Sequence, residues 1–123
     1  MVFDTGALLA IEFGKMTDVL STANALDLPI RFSGGALAQA WRGGPRRARL
    51  SALLKQRGVT VIALDADEAR RVGEFIAQTR TARADVVDAH AAFLARKTQS
   101  LVYTSDVEDL ASYGVPPTLI RRV

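Results

Sequence analysis

Apolar residues along this chain fall into two patterns. Some form short unbroken runs, as in MVF at the start and VTVIAL at 59–64. Others recur three and four apart, as Leu50, Leu53 and Leu54 do. The first pattern predicts buried strands and the second the inward faces of helices. On this basis strands are expected at 1–3, 30–32, 59–64 and 100–103, with a last extended segment at 118–123. Helices are expected at 7–13, 17–26, 36–41, 46–55, 65–79, 84–97 and 107–112. Leu28-Pro29, Gly43-Gly44-Pro45, Gly58, Gly114 and Pro116-Pro117 mark the breaks. The run at 59–64 is expected to be a buried strand, and the run ADVVDAHAAFLARK is the clearest helix.

Strands alternate with helices throughout, and the strands show no alternation of apolar and polar positions. That combination indicates a parallel sheet covered on both faces. The expected fold is therefore α/β, a three-layer α/β/α sandwich with a mostly parallel central sheet. A length of 123 residues allows a single domain, spanning 1–123. No linker, internal repeat or low-complexity segment interrupts it.

Composition narrows the chemistry. There is no cysteine, which excludes a disulfide scaffold, a thiolate metal site and a Cys nucleophile. A single histidine, His90, argues against a His-rich metal site. No segment reaches the roughly 18 apolar residues of a membrane span. The start, with Asp4 and Glu12 and no basic segment, does not read as a signal peptide. The chain is expected to begin at Met1 and to be cytoplasmic.

Charge is unevenly spread. The stretch 28–64 holds Arg31, Arg42, Arg46, Arg47, Arg49, Lys55 and Arg57 and no acid, whereas the rest carries nine bases and thirteen acids. A basic band beside an acidic remainder suits a polyanionic partner; a solvated helix face is the plain alternative.

The acids have an order of their own. In an open parallel sheet, ligands bind beyond the carboxyl ends of the strands. Asp4 follows the first strand in VFDTGA, and Asp106 and Asp109 follow a later one in LVYTSDVEDL. Asp85 and Asp88 open the small-sided helix between 84 and 97, three residues apart and near one face. Clustered carboxylates stay ionised together only around a cation, or else their pKa values rise. Oxygen ligands without His or Cys suit Mg²⁺ or Mn²⁺, which can activate water against a phosphodiester. Each acid also has a structural reading: Asp4 as a helix cap, Asp85 with Asp88 as a capping pair, and Ser105 with Glu108 as a capping box. Asp65, Asp67 and Glu68 are assigned to capping. Glu12, Asp18, Asp27 and Glu74 are expected in solvent.

The three segments VFDTGALLA, ADVVDAHAAFLA and LVYTSDVEDL, in this order and spacing, resemble the PIN domain, and specifically the VapC-like toxins of bacterial type II toxin–antitoxin pairs. The resemblance spans essentially the whole chain. It implies a metal-dependent endoribonuclease that takes RNA as substrate, pairs with a cognate antitoxin and forms a homodimer. By motif, Asp4, Asp88 and Asp106 match the family's metal-binding acids, Asp109 accompanies them, and Thr5, Thr104 and Ser105 match supporting polar positions. One position departs: Gln39, in GALAQAWRGG, stands where the family usually has an acid. The site then has one formal charge fewer, and Glu12 is a candidate to compensate.

On the same resemblance, Arg42, Arg46, Arg47 and Arg49 follow Gln39 and would border the acidic pocket, seating an RNA backbone. Trp41 is expected to be buried at a helix end, with base stacking as the alternative. His90, two residues past Asp88, is expected at the surface or an interface. GGPRRARL lacks the G-K-S/T ending of a phosphate-binding loop. The competing function is a PIN-like module with faded catalysis that binds nucleic acid or protein, favoured by Gln39.

Overall fold

The computed structural model describes residues 1–42, 47–79 and 84–123. The Gly43-Gly44-Pro45 break and Arg46 lie outside them. Among the described residues the strands are β1 (Val2–Phe3), β2 (Ile30–Ser33), β3 (Val59–Ile62), β4 (Val102–Thr104) and β5 (Ile120–Arg122). They form one sheet in the order β3-β2-β1-β4-β5, and all four pairings are parallel. The helices are α1 (Thr5–Glu12), α2 (Thr17–Ala25), α3 (Gly34–Ala40), α4 (Ala48–Leu54), α5 (Ala66–Thr79), α6 (Val86–Thr98) and α7 (Val107–Ser112). A single 3₁₀ turn, Pro117–Leu119, leads into β5.

Side chains alternate across a strand, and here each side has its own core. Phe3, Ile30 and Phe32 pack with α1 through α4 on one face. Val2, Val102 and Ile120 pack with α5, α6 and α7 on the other. This is the three-layer sandwich the sequence implies. Phe3, Phe32 and Leu8 are fully buried, each stabilising the fold by about 1.5–3 kcal/mol. Among the described residues no helix is long and apolar enough to cross a membrane.

Two expectations change. The run at 59–64 does form a strand, but it ends at Ile62 and lies at the sheet edge, with Thr60 and Val61 exposed. β-Branched residues mark a pleated strand without saying whether one neighbour or two will flank it. The clearest helix starts at Val86, later than 84, because Asp85 sits before it with its carboxylate accepting from the Val87 and Asp88 amides at 2.9 and 3.0 Å.

The topology sets the location of any site. From β1 the chain steps to β2 and β3 on one side, then returns to β4 and β5 on the other. Helices α1–α4 therefore cover one face and α5–α7 the opposite one. The two halves part above the carboxyl ends of β1 and β4, the crevice where open α/β sheets bind ligands.

Candidate active site

Asp4 stands at the end of β1, in that crevice, and is only 4% exposed. Its Oδ1 accepts the Ala7 amide at 2.9 Å, so the carboxylate does cap α1. Its Oδ2 accepts the Thr104 hydroxyl from the end of β4. The Thr104 oxygen in turn accepts the Asp106 amide at 2.9 Å. One short chain of bonds thus ties the loop after β1 to the loop after β4. Burial pushes the Asp4 carboxyl above its usual value; the Thr104, Ala7 and Gly6 bonds oppose this, and the nearby Asp106 charge adds to it.

Asp106, exposed, caps α7 by accepting the Asp109 amide at 3.1 Å. The expected capping box on Ser105 is therefore replaced: the helix has the expected bounds, 107–112, but Asp106 is its cap. Gly6 makes the close approach possible, since a Cβ there would collide with the Ser105 side chain and amide.

Asp88 enters from α6. Burial first, then the charges of Asp85, Asp109 and Asp4 and a hydrogen bond shared with Asp109, push its carboxyl from 3.8 up to about 7. A cleft of about 410 Å³ opens beside it, lined by Ala84, Asp85, Asp88, Asp109, Ser112 and Tyr113. The Tyr113 hydroxyl accepts the Asp85 amide at 3.0 Å and donates to the Asp85 carbonyl at 3.2 Å, fixing the start of α6 against α7. Sequence reasoning missed this tyrosine, which sits in no motif.

Asp88 and Asp109 thus line this cleft, while the Asp4 charge acts on Asp88 and the Asp106 charge on Asp4. Their oxygens are the donors a hard divalent cation takes. Among the described residues no three acidic or histidine side chains are already grouped as a ligand set. The donors fit such a cation in kind, and the repulsion that adds to burial in raising the Asp88 carboxyl is what a cation would relieve.

Gln39 reaches the rim of this site. Its Oε1 accepts the hydroxyl of Thr5, the residue after Asp4, at 2.6 Å. Glu12 does not compensate, and it is not in free solvent. Its carboxylate accepts the Leu50 amide at 3.0 Å and so caps α4, at the far end of α1.

The described arginines of the basic band divide. Arg42 donates through Nε to the Gln39 carbonyl at 3.0 Å, beside the site. Arg47 donates to the Arg42 carbonyl at 3.1 Å and lies 5.4 Å over the ring of Trp41, which is partly buried at the end of α3. Arg49 bonds the Glu12 carbonyl at 3.2 Å, which sets it about 12 Å along α1 from Asp4.

His90 overturns the expectation of a surface position, being completely buried. Its Nδ1 is 2.7 Å from the Ser33 hydroxyl and its Nε2 is 3.1 Å from Glu68 Oε1. Ser33 also accepts the Gly35 amide at 3.0 Å, capping α3. With the proton on Nε2, Ser33 donates to Nδ1 and His90 donates to Glu68. The carboxylate of Glu68 is thus a partner of His90, while Asp65 alone caps by accepting the Glu68 amide at 2.9 Å. Asp67 pairs with Arg70 on the surface. A helical periodicity puts His90 off the Asp88 face but does not say that the other face meets a buried serine.

A scan against protein-family models finds no match to this chain, and a search of curated proteins finds none either.

The raised Asp88 carboxyl has a consequence for the metal-free protein. The unfolded chain releases this proton near 3.8, whereas the folded chain holds it to about 7. Proton binding therefore favours the folded state fully below pH 3.8, and that contribution is lost as pH rises to about 7. In EDTA the melting temperature should fall between pH 5 and pH 8, and Asp88→Asn should flatten the fall. Identical pH profiles for the two proteins would show that Asp88 titrates as an ordinary carboxyl.

Proposed function

We propose that this protein is a metal-dependent endoribonuclease of the PIN-domain, VapC-like kind, acting as the toxin of a type II toxin–antitoxin pair. What supports the reading is the mutual electrostatic influence of the acids near the carboxyl ends of β1 and β4, Asp106 acting on Asp4, and Asp109 and Asp4 acting on Asp88. When bound, Mg²⁺ or Mn²⁺ would supply charge neutralisation and an activated water for attack on the phosphodiester, held by Asp4, Asp88 and Asp106. The chain's own residues prepare this. Thr104 and the Ala7 amide orient Asp4, the Asp109 amide orients Asp106, and Tyr113 anchors the start of the helix that presents Asp88. With this role go a cognate antitoxin, a homodimer and a cytoplasmic location.

The purified protein should cleave RNA internally with Mg²⁺ or Mn²⁺ and stop in EDTA. RNA binding without cleavage under either metal would favour the second reading, a binding module of the same fold. One observation speaks for that module: the Gln39 side-chain oxygen already accepts the Thr5 hydroxyl and brings no charge.

Gln39→Glu tests how far that position matters. The added carboxylate should tighten Mg²⁺ binding and, without metal, destabilise an already repulsive cluster. The Mg²⁺-induced rise in melting temperature should therefore be larger for the variant than for the parent. An equal rise in both would mean that residue 39 does not face the metal.

A further inference from the structure

We propose that Arg122, at the end of β5, is a phosphate-contacting residue of this site, so that the RNA backbone crosses the crevice between Arg42 on one side and Arg122 on the other. The inference rests on the nuclease reading and adds a contact outside the basic band. β5 pairs with β4 so that Arg122 lies level with Thr104, the residue whose hydroxyl holds Asp4. Arg122 Nη1 donates to the carbonyl of Ser105, next to Asp106, at 3.2 Å. The side chain is exposed, and among the described residues it forms no ion pair and no other hydrogen bond.

Arg42 mirrors this arrangement, with one nitrogen fixed to the carbonyl of Gln39. Each guanidinium is tethered by one N–H to a main-chain carbonyl at or next to a candidate site residue. The remaining donors form the planar fork that fits phosphate oxygens. Tethering removes part of the side-chain entropy that a contact would otherwise cost. A polyanion approaching four aspartates also needs positive charge at its flanks. Arg121 carries the same charge one residue earlier but is turned away, its Nη1 bonded to the Thr118 and Ile120 carbonyls at 2.9 and 3.0 Å.

The neighbouring pair makes the test internally controlled. A labelled single-stranded RNA oligonucleotide is titrated with the intact protein in EDTA, where cleavage is suppressed, over a series of KCl concentrations. Arg122→Gln should weaken binding severalfold and lower the slope of log affinity against log salt by about 0.7, the value of one phosphate contact on a single strand. Arg121→Gln, equal in net charge, should keep the parent slope. A parent slope in Arg122→Gln would overturn the inference, and so would equal losses in both variants, which would make the effect one of net charge. Either result leaves the nuclease reading standing. Failure of the parent itself to bind RNA would instead bring down the functional reading and the contact together.

Discussion

Asp4→Asn is expected to reduce metal-dependent RNA cleavage by at least about a hundredfold. Loss of partners outside a metal's own ligands already costs about 10–100-fold, and Asp4 would itself be a ligand in the proposed function. The fold should survive. Asparagine is as good a helix cap as aspartate, so the bond from the Ala7 amide can persist. Burial and the Asp106 charge already raise the Asp4 carboxyl, so removing its charge relieves a strain in the metal-free state. The melting temperature in EDTA should accordingly be unchanged or higher, while cleavage, followed on a denaturing gel, disappears. Full activity in the variant would remove Asp4 from the chemistry and leave it as the cap of α1.

His90→Ala is expected to be among the most destabilising single substitutions, by about 2–4 kcal/mol. The ring is fully buried, and its loss leaves a cavity between β2, α5 and α6. It also strips a hydrogen bond from Ser33, itself fully buried, and one from Glu68. Against a total stability of roughly 5–15 kcal/mol this is a large fraction. Urea unfolding should show the midpoint falling at an unchanged slope. Arg70→Ala, which breaks only the exposed pair with Asp67, should cost no more than about 0.5 kcal/mol. Similar losses for the two variants would contradict the structural role given to His90.

The fold was largely legible because its signals are local. Unbroken β-branched runs, helical spacing of leucines and glycine or proline breaks each depend on a few neighbouring residues. They led to the parallel three-layer sandwich and to strands near the observed positions. What they left open was the place of each strand. β3 reads as buried because Val59, Val61 and Ile62 are apolar, yet only β2 pairs with it.

The site was legible in part for the same reason. An aspartate after an apolar strand is a local signal, and in a parallel sheet all such positions face one edge. That made Asp4 and Asp106 visible, and the small-sided helix brought Asp88 with them. Local sequence by itself determined that Asp4 follows a strand and that Asp4 and Asp85 cap helices. Only the tertiary structure decided what each side chain meets. Glu12 caps a helix that starts 36 residues later, His90 reaches a serine 57 residues away, and Arg122 stands level with Thr104 through strand pairing. These partners are remote along the chain, and the energy that selects them comes from packing and from satisfying buried polar groups. Both are properties of the assembled fold, which no short stretch of residues contains.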